Sequence, residues 1–185
     1  MSKRYCPSCG EMVETLVMVH AGKEEARCSN CGTLLSKMGE KIKTLQSVLA
    51  AEDSPALLRK VSEMLELKKI AHNVVQCKNG EEFVTQAASR LRAGLPVNLA
   101  ILDVQMPILN GVNAAIALRA IERARNHKLR IPILFFTATK CDETFQQVLK
   151  YCAPARYINK GAGSSPEEFA ERLYQVIAGL LAQES

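Results

Sequence analysis

Three carboxylates, a hydroxyl and an ammonium follow four short strand-like runs of this sequence. Glu52-Asp53 come after 46–51, Asp103 after 97–102, Thr137 after 131–136, and Lys160 just beyond 156–158. Gathered in one place, three carboxylates repel one another unless a cation stands among them. Hard oxygen ligands with room for water suit Mg²⁺. A lysine and a threonine beside them would bind further anionic oxygens. The chemistry that uses an attacking carboxylate, a metal, a cationic partner and a hydroxyl donor together is phosphoryl transfer.

A second set is built of sulfur. Cys6-Pro7-Ser8-Cys9-Gly10 and Cys28-Ser29-Asn30-Cys31-Gly32 are two knuckles with 18 residues between the inner cysteines. Paired Cys-x-x-Cys motifs about 15–20 residues apart mark a structural Zn²⁺ site. The knuckle glycines permit positive φ, which turns backbone amides toward the sulfurs. Residues 12–19 and 24–27 are expected to pair as a hairpin across 20–23, with His20 at its tip. So small a segment cannot fold on apolar burial alone, and the metal supplies the missing free energy. Four thiolates close the tetrahedron and leave no open position for catalysis. The competing reading, a redox Cys-x-x-Cys, belongs after a strand in a βαβ unit, and that context is missing here. Cys77, Cys141 and Cys152 are scattered and read as small core or helix residues.

The acidic set needs a scaffold, and the chain between 44 and 185 offers one. Apolar runs at 46–51, 73–77, 97–102, 131–136 and 156–158 read as strands. They alternate with amphipathic stretches at about 80–93, 112–126 and 143–152, a first helix opened by Ser54-Pro55 and a last one opened by Ser165-Pro166-Glu167-Glu168. Serine before proline is an N-cap with proline at the first helical position, and Ser165 with Glu168 forms a capping box. Alternating β and α units imply an α/β fold, a doubly wound five-stranded parallel sheet with helices on both faces. Ligands of such sheets lie outside the carboxyl ends of the strands, where all five residues of the acidic set would meet. The expected organisation is a zinc ribbon over 1–35, a linker over 36–43 and the α/β domain over 44–185.

Composition narrows the classes. The chain has 185 residues, 48% of them hydrophobic, with a net charge of +5. No apolar run reaches the length of a membrane span, and Met1-Ser2-Lys3-Arg4-Tyr5-Cys6 is not a signal peptide, so a cytoplasmic protein without membrane insertion is expected. Positive charge concentrates only at 122–130, where Arg123, Arg125, Lys128 and Arg130 read as a solvated helix end. Nucleic acid stays open as a partner of the ribbon, but seven Lys/Arg against five Glu in 1–43 give it little support.

Four segments carry a resemblance. Val48-Leu49-Ala50-Ala51-Glu52-Asp53-Ser54-Pro55 resembles the first strand and acidic pair of response-regulator receiver domains. Leu102-Asp103-Val104-Gln105-Met106-Pro107-Ile108-Leu109-Asn110-Gly111 resembles their phosphoacceptor segment. Phe136-Thr137-Ala138 is similar to their switch segment, and Tyr157-Ile158-Asn159-Lys160 to their final strand. The resemblance covers roughly 44–185 and implies a flavodoxin-like strand order of 2-1-3-4-5. It further implies that Asp103 is the nucleophile that becomes aspartyl phosphate. Asp53 would bind Mg²⁺ directly, Glu52 through water, and Gln105 through its backbone carbonyl. Lys160 would pair with the phosphoryl oxygens, Thr137 would close on them, and Tyr157 would rotate inward. Thr139 and Gln105 would tune hydrolysis. The donor would be a sensor histidine kinase or a phosphotransfer protein. Output would come from the face of the fourth helix, fifth strand and fifth helix, or from the ribbon, since the chain is expected to end without an output domain. The resemblance names no output partner and allows a phosphorylation-dependent homodimer through the last two helices.

One departure stands out. Receivers usually have Lys-Pro, with a cis peptide, where this chain has Lys160-Gly161. A cis bond without proline costs about 2.5–4 kcal/mol, so a trans peptide and a rearranged loop are expected. Other classes remain. A pseudo-receiver would keep the fold and bind proteins without phosphate; the intact Asp103, Asp53, Thr137 and Lys160 argue against it. A phosphatase of the haloacid-dehalogenase type would need a second aspartate two residues past its nucleophile, where this chain has Gln105. The reading is therefore of a protein that catalyses only its own phosphorylation and dephosphorylation.

Overall fold

Strands buried on both faces need apolar residues throughout, and the central runs of this chain meet that demand. The computed structural model describes residues 3–20, 22–35, 42–126, 129–161 and 165–182. The expected linker falls mostly on 36–41, outside the described residues. Elements in chain order are β1 (Lys3–Cys6), β2 (Glu11–His20), β3 (Lys23–Cys28), β4 (Val48–Ala51), α1 (Pro55–Leu67), β5 (Val74–Cys77), α2 (Gly80–Arg92), β6 (Leu99–Asp103), α3 (Gly111–Ala124), β7 (Ile133–Thr137), α4 (Glu143–Tyr151), β8 (Ala155–Asn159) and α5 (Pro166–Leu181). β4 to β8 form a parallel sheet in the order β5-β4-β6-β7-β8, the 2-1-3-4-5 arrangement expected.

The period-2 alternation of strand side chains divides the core in two. Leu49, Ala51, Ala100, Leu102, Ile133 and Phe135 pack under α2, α3 and α4 through Phe83, Ala115, Leu118 and Leu149. Val48, Ala50, Leu99, Ile101, Leu134, Phe136 and Ile158 pack under α1 and α5 through Leu58, Leu65, Leu173 and Ile177. Each helix is opened by a side-chain cap: Ser54, Asn79, Asn110, Asp142 and Ser165, the last with the expected capping box to Glu168.

Several bounds move for identifiable reasons. The first strand of the sheet starts at Val48 rather than 46, because the N–H groups of Gln46 and Ser47 both donate to the Asn98 side chain. β6 and β7 each run one residue further than expected, so Asp103 and Thr137 are last strand residues rather than the residues that follow. α3 stops at Ala124, where Arg125 caps it and Asn126 turns to a φ of 49°. Glu122 is not part of a solvated helix end. It is buried, 2.7 Å from the buried Arg119, and accepts the Ile131 N–H, while Arg123, Arg125 and Arg130 are exposed as expected. Cys77 and Cys152 are core residues, but Cys141 is half-buried in the loop before α4, not in core or helix. Burial pushes the thiols of Cys77 and Cys141 up to about 12, which keeps them protonated.

The N-terminal segment is a three-stranded antiparallel sheet, β1-β2-β3, not a two-stranded hairpin. β1 was not expected, because of its residues only Cys6 is buried and no alternation marks it. β2 and β3 pair as far as His20 with Lys23; the side chain of His20 lies outside the described residues.

Candidate functional site

The carboxyl ends of β4, β6, β7 and β8 deliver the acidic set to one edge. Glu52 and Asp103 are buried and Asp53 is exposed. One oxygen from each lies within 4.8 Å of the others. Oxygens on an octahedral Mg²⁺ are at most about 4.2 Å apart, so this donor set fits the ion with only small side-chain adjustment. Lys160 Nζ lies 2.6 Å from Glu52 Oε2 and 2.9 Å from Asp103 Oδ1. Burial lifts the Glu52 carboxyl above the usual carboxylate range; Lys160 opposes the shift and the Asp103 charge adds to it.

Backbone geometry holds these groups. Asp103 Oδ1 accepts the Gln105 N–H at 3.2 Å, which is where Gln105 meets the site in this structure. A Cβ on Gly111 would overlap the Asp103 carbonyl, and one on Gly80 would overlap the Leu109 carbonyl. Glycine at both positions lets α2 and α3 close on the loop that follows β6. The Thr137 hydroxyl is buried and shares a hydrogen bond with Thr139 Oγ1 at 2.9 Å. Lys160 donates its backbone N–H to the Thr137 carbonyl at 2.7 Å, tying the ammonium to the hydroxyl strand. The Lys160–Gly161 peptide is trans, as expected without proline, and the loop at 162–164 lies outside the described residues.

The four knuckle cysteines also converge. All four are buried, with Cys6 Sγ 3.7 Å from Cys31 Sγ and Cys9 Sγ 3.8 Å from Cys28 Sγ. Tetrahedral sulfurs about 2.3 Å from a zinc ion stand about 3.8 Å from one another, whereas a disulfide needs about 2.05 Å. The cluster therefore has the dimensions of a metal tetrahedron. Hydrogen bonding with Cys28 raises the Cys6 and Cys9 thiols well above the ordinary value, and hydrogen bonding with Cys31 holds Cys28 far below it. Four such groups cannot all ionise together without a cation.

The two sites share a boundary that sequence reasoning did not anticipate. The first knuckle lies along β8 and α5: Asn159 donates its N–H to the Ser8 carbonyl at 2.9 Å, and Arg172 Nε donates to the Pro7 carbonyl at 2.9 Å. The second lies on α4, where Gln146 Nε2 donates to the Asn30 carbonyl at 2.7 Å. Tyr157 stands between, 2% exposed, its hydroxyl 2.9 Å from Cys9 Sγ and its ring edge-on to Phe145 at 6.0 Å. Burial and the Cys9 bond raise its hydroxyl above the usual tyrosine range. Arg172 carried the one available signal, a cation one residue before Leu173 on the buried face of the last helix.

Comparison with known proteins adds a lineage to this geometry. Residues 48–173 match the family described as "Response regulator receiver domain". The chain is 25% identical over 111 residues to the signal transduction histidine-protein kinase BarA of Escherichia coli K12, an alignment covering 60% of this chain and 11% of that protein. The chain thus matches about a tenth of the length of this curated relative. Among solved structures, Vibrio cholerae chemotaxis protein CheY4 superposes with a TM-score of 0.54 at 23% identity, over 71% of this chain and 98% of the other. The receiver domain of histidine kinase CKI1 from Arabidopsis thaliana, complexed with Mg²⁺ and BeF₃⁻, superposes with a TM-score of 0.58 at 20% identity, over 74% and 90%. At these identities the likeness to solved structures concerns the fold.

Proposed function

The chain belongs to the response regulator receiver family, and on that premise we propose that it accepts a phosphoryl group on Asp103 in a two-component phosphorelay. The observation that carries this reading is Lys160 Nζ within 2.9 Å of Asp103 and 2.6 Å of Glu52, at an edge where Asp53 and Thr137 also stand. A phosphohistidine on a sensor kinase or phosphotransfer protein is the donor. An Asp103 carboxylate oxygen attacks phosphorus, a P–O bond forms, the P–N bond breaks, and the imidazole leaves and takes up a proton. Lys160 offsets charge on the arriving oxygens, and Thr137 turns its hydroxyl from Thr139 toward them. Glu52, Asp53, Asp103 and the Gln105 carbonyl would hold Mg²⁺, which supplies charge neutralisation at the transferring group. The protein in this reading works in the cytoplasm and turns over no external substrate; no described helix is long and apolar enough to cross a membrane.

We further propose that Cys6, Cys9, Cys28 and Cys31 hold a structural Zn²⁺ and that the ribbon spans 1–35. Metal analysis should return one zinc per chain, and Cys28→Ser should lose it. A full zinc complement in that variant would remove the assignment. The phosphoacceptor reading is tested by mass spectrometry after incubation with acetyl phosphate and Mg²⁺. The parent should gain one phosphoryl group and Asp103→Asn none. No gain in either protein would favour a module that signals by binding alone.

A further inference from the structure

The face made by α4, β8 and α5 is covered in this molecule by its own knuckles. Backbone, side-chain and sulfur contacts all cross the boundary: Asn159 to Ser8, Arg172 to Pro7, Gln146 to Asn30, Tyr157 to Cys9, and the exposed ion pair Lys140–Glu11 at 2.8 Å. Pro7, Ser8, Cys9 and Asn30 all lie in the two metal-binding loops. A metal in the tetrahedron that closes these loops would fix their placement, and with it the docked arrangement. On the other side, the contacts lead straight to the acidic site. Asn159 Nδ2 donates to the Thr139 carbonyl at 3.0 Å, and the next residue, Lys160, ties its N–H to Thr137 and its ammonium to Asp103.

We propose that the zinc ribbon is a clamp on the switch face, released when Asp103 carries a phosphoryl group, so that zinc retention and phosphorylation are reciprocally linked. The inference rests on the phosphoacceptor reading above. The contacts just described belong to a site in which Thr137 is bonded to Thr139 and Lys160 bridges Glu52 and Asp103. A phosphoryl group takes the Thr137 hydroxyl and the lysine for its own oxygens. The Thr137–Thr139 turn then shifts, and with it the Asn159 side chain and the strand edge that holds Ser8. Tyr157 is already buried with Cys9 on its hydroxyl, so undocking of the ribbon breaks that bond and uncovers the ring. By linkage, whatever weakens docking when phosphate binds must strengthen phosphate binding when the ribbon is undocked.

The test uses the full zinc-loaded chain. Zinc transfer to excess 4-(2-pyridylazo)resorcinol is timed with and without Mg²⁺ and beryllofluoride, whose occupancy is read separately by ¹⁹F NMR. Release should speed up by about fivefold or more on loading, the lower end of ordinary coupling between sites. Asp103→Asn should show no acceleration. Tyr157→Phe, which keeps the ring and drops the Cys9 bond, should release zinc faster before loading and respond less to it. Bound beryllofluoride with unchanged or slower zinc release would overturn the clamp and leave the phosphoacceptor reading standing. Absence of any beryllofluoride signal, together with no acetyl-phosphate adduct, would overturn both.

Discussion

Lys160→Ala is expected to slow phosphoryl gain at Asp103 by about 10²–10³-fold, the usual result of deleting one preorganised charge partner from a buried site. The ammonium is the one cation seen within 3 Å of both buried carboxylates among the described residues. Without it, the arriving phosphoryl oxygens meet Glu52 and Asp103 with one less positive charge nearby. Mg²⁺ affinity should rise rather than fall, since two carboxylates lose a competing partner. Acetyl-phosphate time courses followed by intact mass, at saturating Mg²⁺, separate the two effects. A rate within threefold of the parent would show that the lysine plays no part in the transfer. The variant should also carry a pH signature. Burial holds the Glu52 carboxyl above its ordinary range, so its contribution to stability is complete at low pH and is lost as pH rises and the group ionises in the fold. Removing Lys160 deepens that loss. In metal-free buffer, urea midpoints of the variant should drop further below the parent as pH rises above the ordinary glutamate value of about 4.3.

Glu122→Ala is expected to destabilise the protein by about 3–5 kcal/mol, because it strands a buried cation. Arg119 sends Nη1 to Glu122 at 2.7 Å, Nε to the Cys152 carbonyl and Nη2 to the carbonyls of Cys152 and Ile131, all of them buried residues. The same carboxylate accepts the Ile131 N–H at 2.6 Å. The alanine variant loses both bonds and keeps the guanidinium. Domains of this size hold about 5–15 kcal/mol in all, so the loss should be plain in urea titration. Replacing the pair together by Arg119→Met and Glu122→Leu should recover much of it, since an apolar pair leaves no orphaned charge. A single-variant loss below about 1 kcal/mol would mean that water reaches Arg119.

How much of this was legible follows from what each residue's neighbours are. Glu52, Asp103, Thr137 and Lys160 could be placed together because a parallel sheet puts every strand end on one side, and apolar runs reveal strands directly. The cysteine tetrahedron was legible from spacing alone, because a turn of two residues fixes each knuckle. Glu122 falls within a segment that reads as solvated because its i,i+3 ion pair with Arg119 looks the same in sequence whether solvent or a core carbonyl lies beside it. β1 was missed because its residues other than Cys6 are exposed and its pairing is imposed from β2. The docking of the ribbon left little trace in the sequence, since three of the five contacts named above use backbone carbonyls of Pro7, Ser8 and Asn30, which any residue supplies.

Arg172, reaching from α5 to the Pro7 carbonyl, also bears on self-association. A second copy approaching α4 and α5 would meet, on this molecule, a surface already held by a covalently attached competitor. A tethered module typically acts at an effective concentration in the millimolar range. A second copy at micromolar levels must therefore displace it at a thousandfold disadvantage, on the order of 4 kcal/mol. Pairing through that surface would carry this cost for as long as the ribbon stays in place, and would be relieved of it only once the occupant has left.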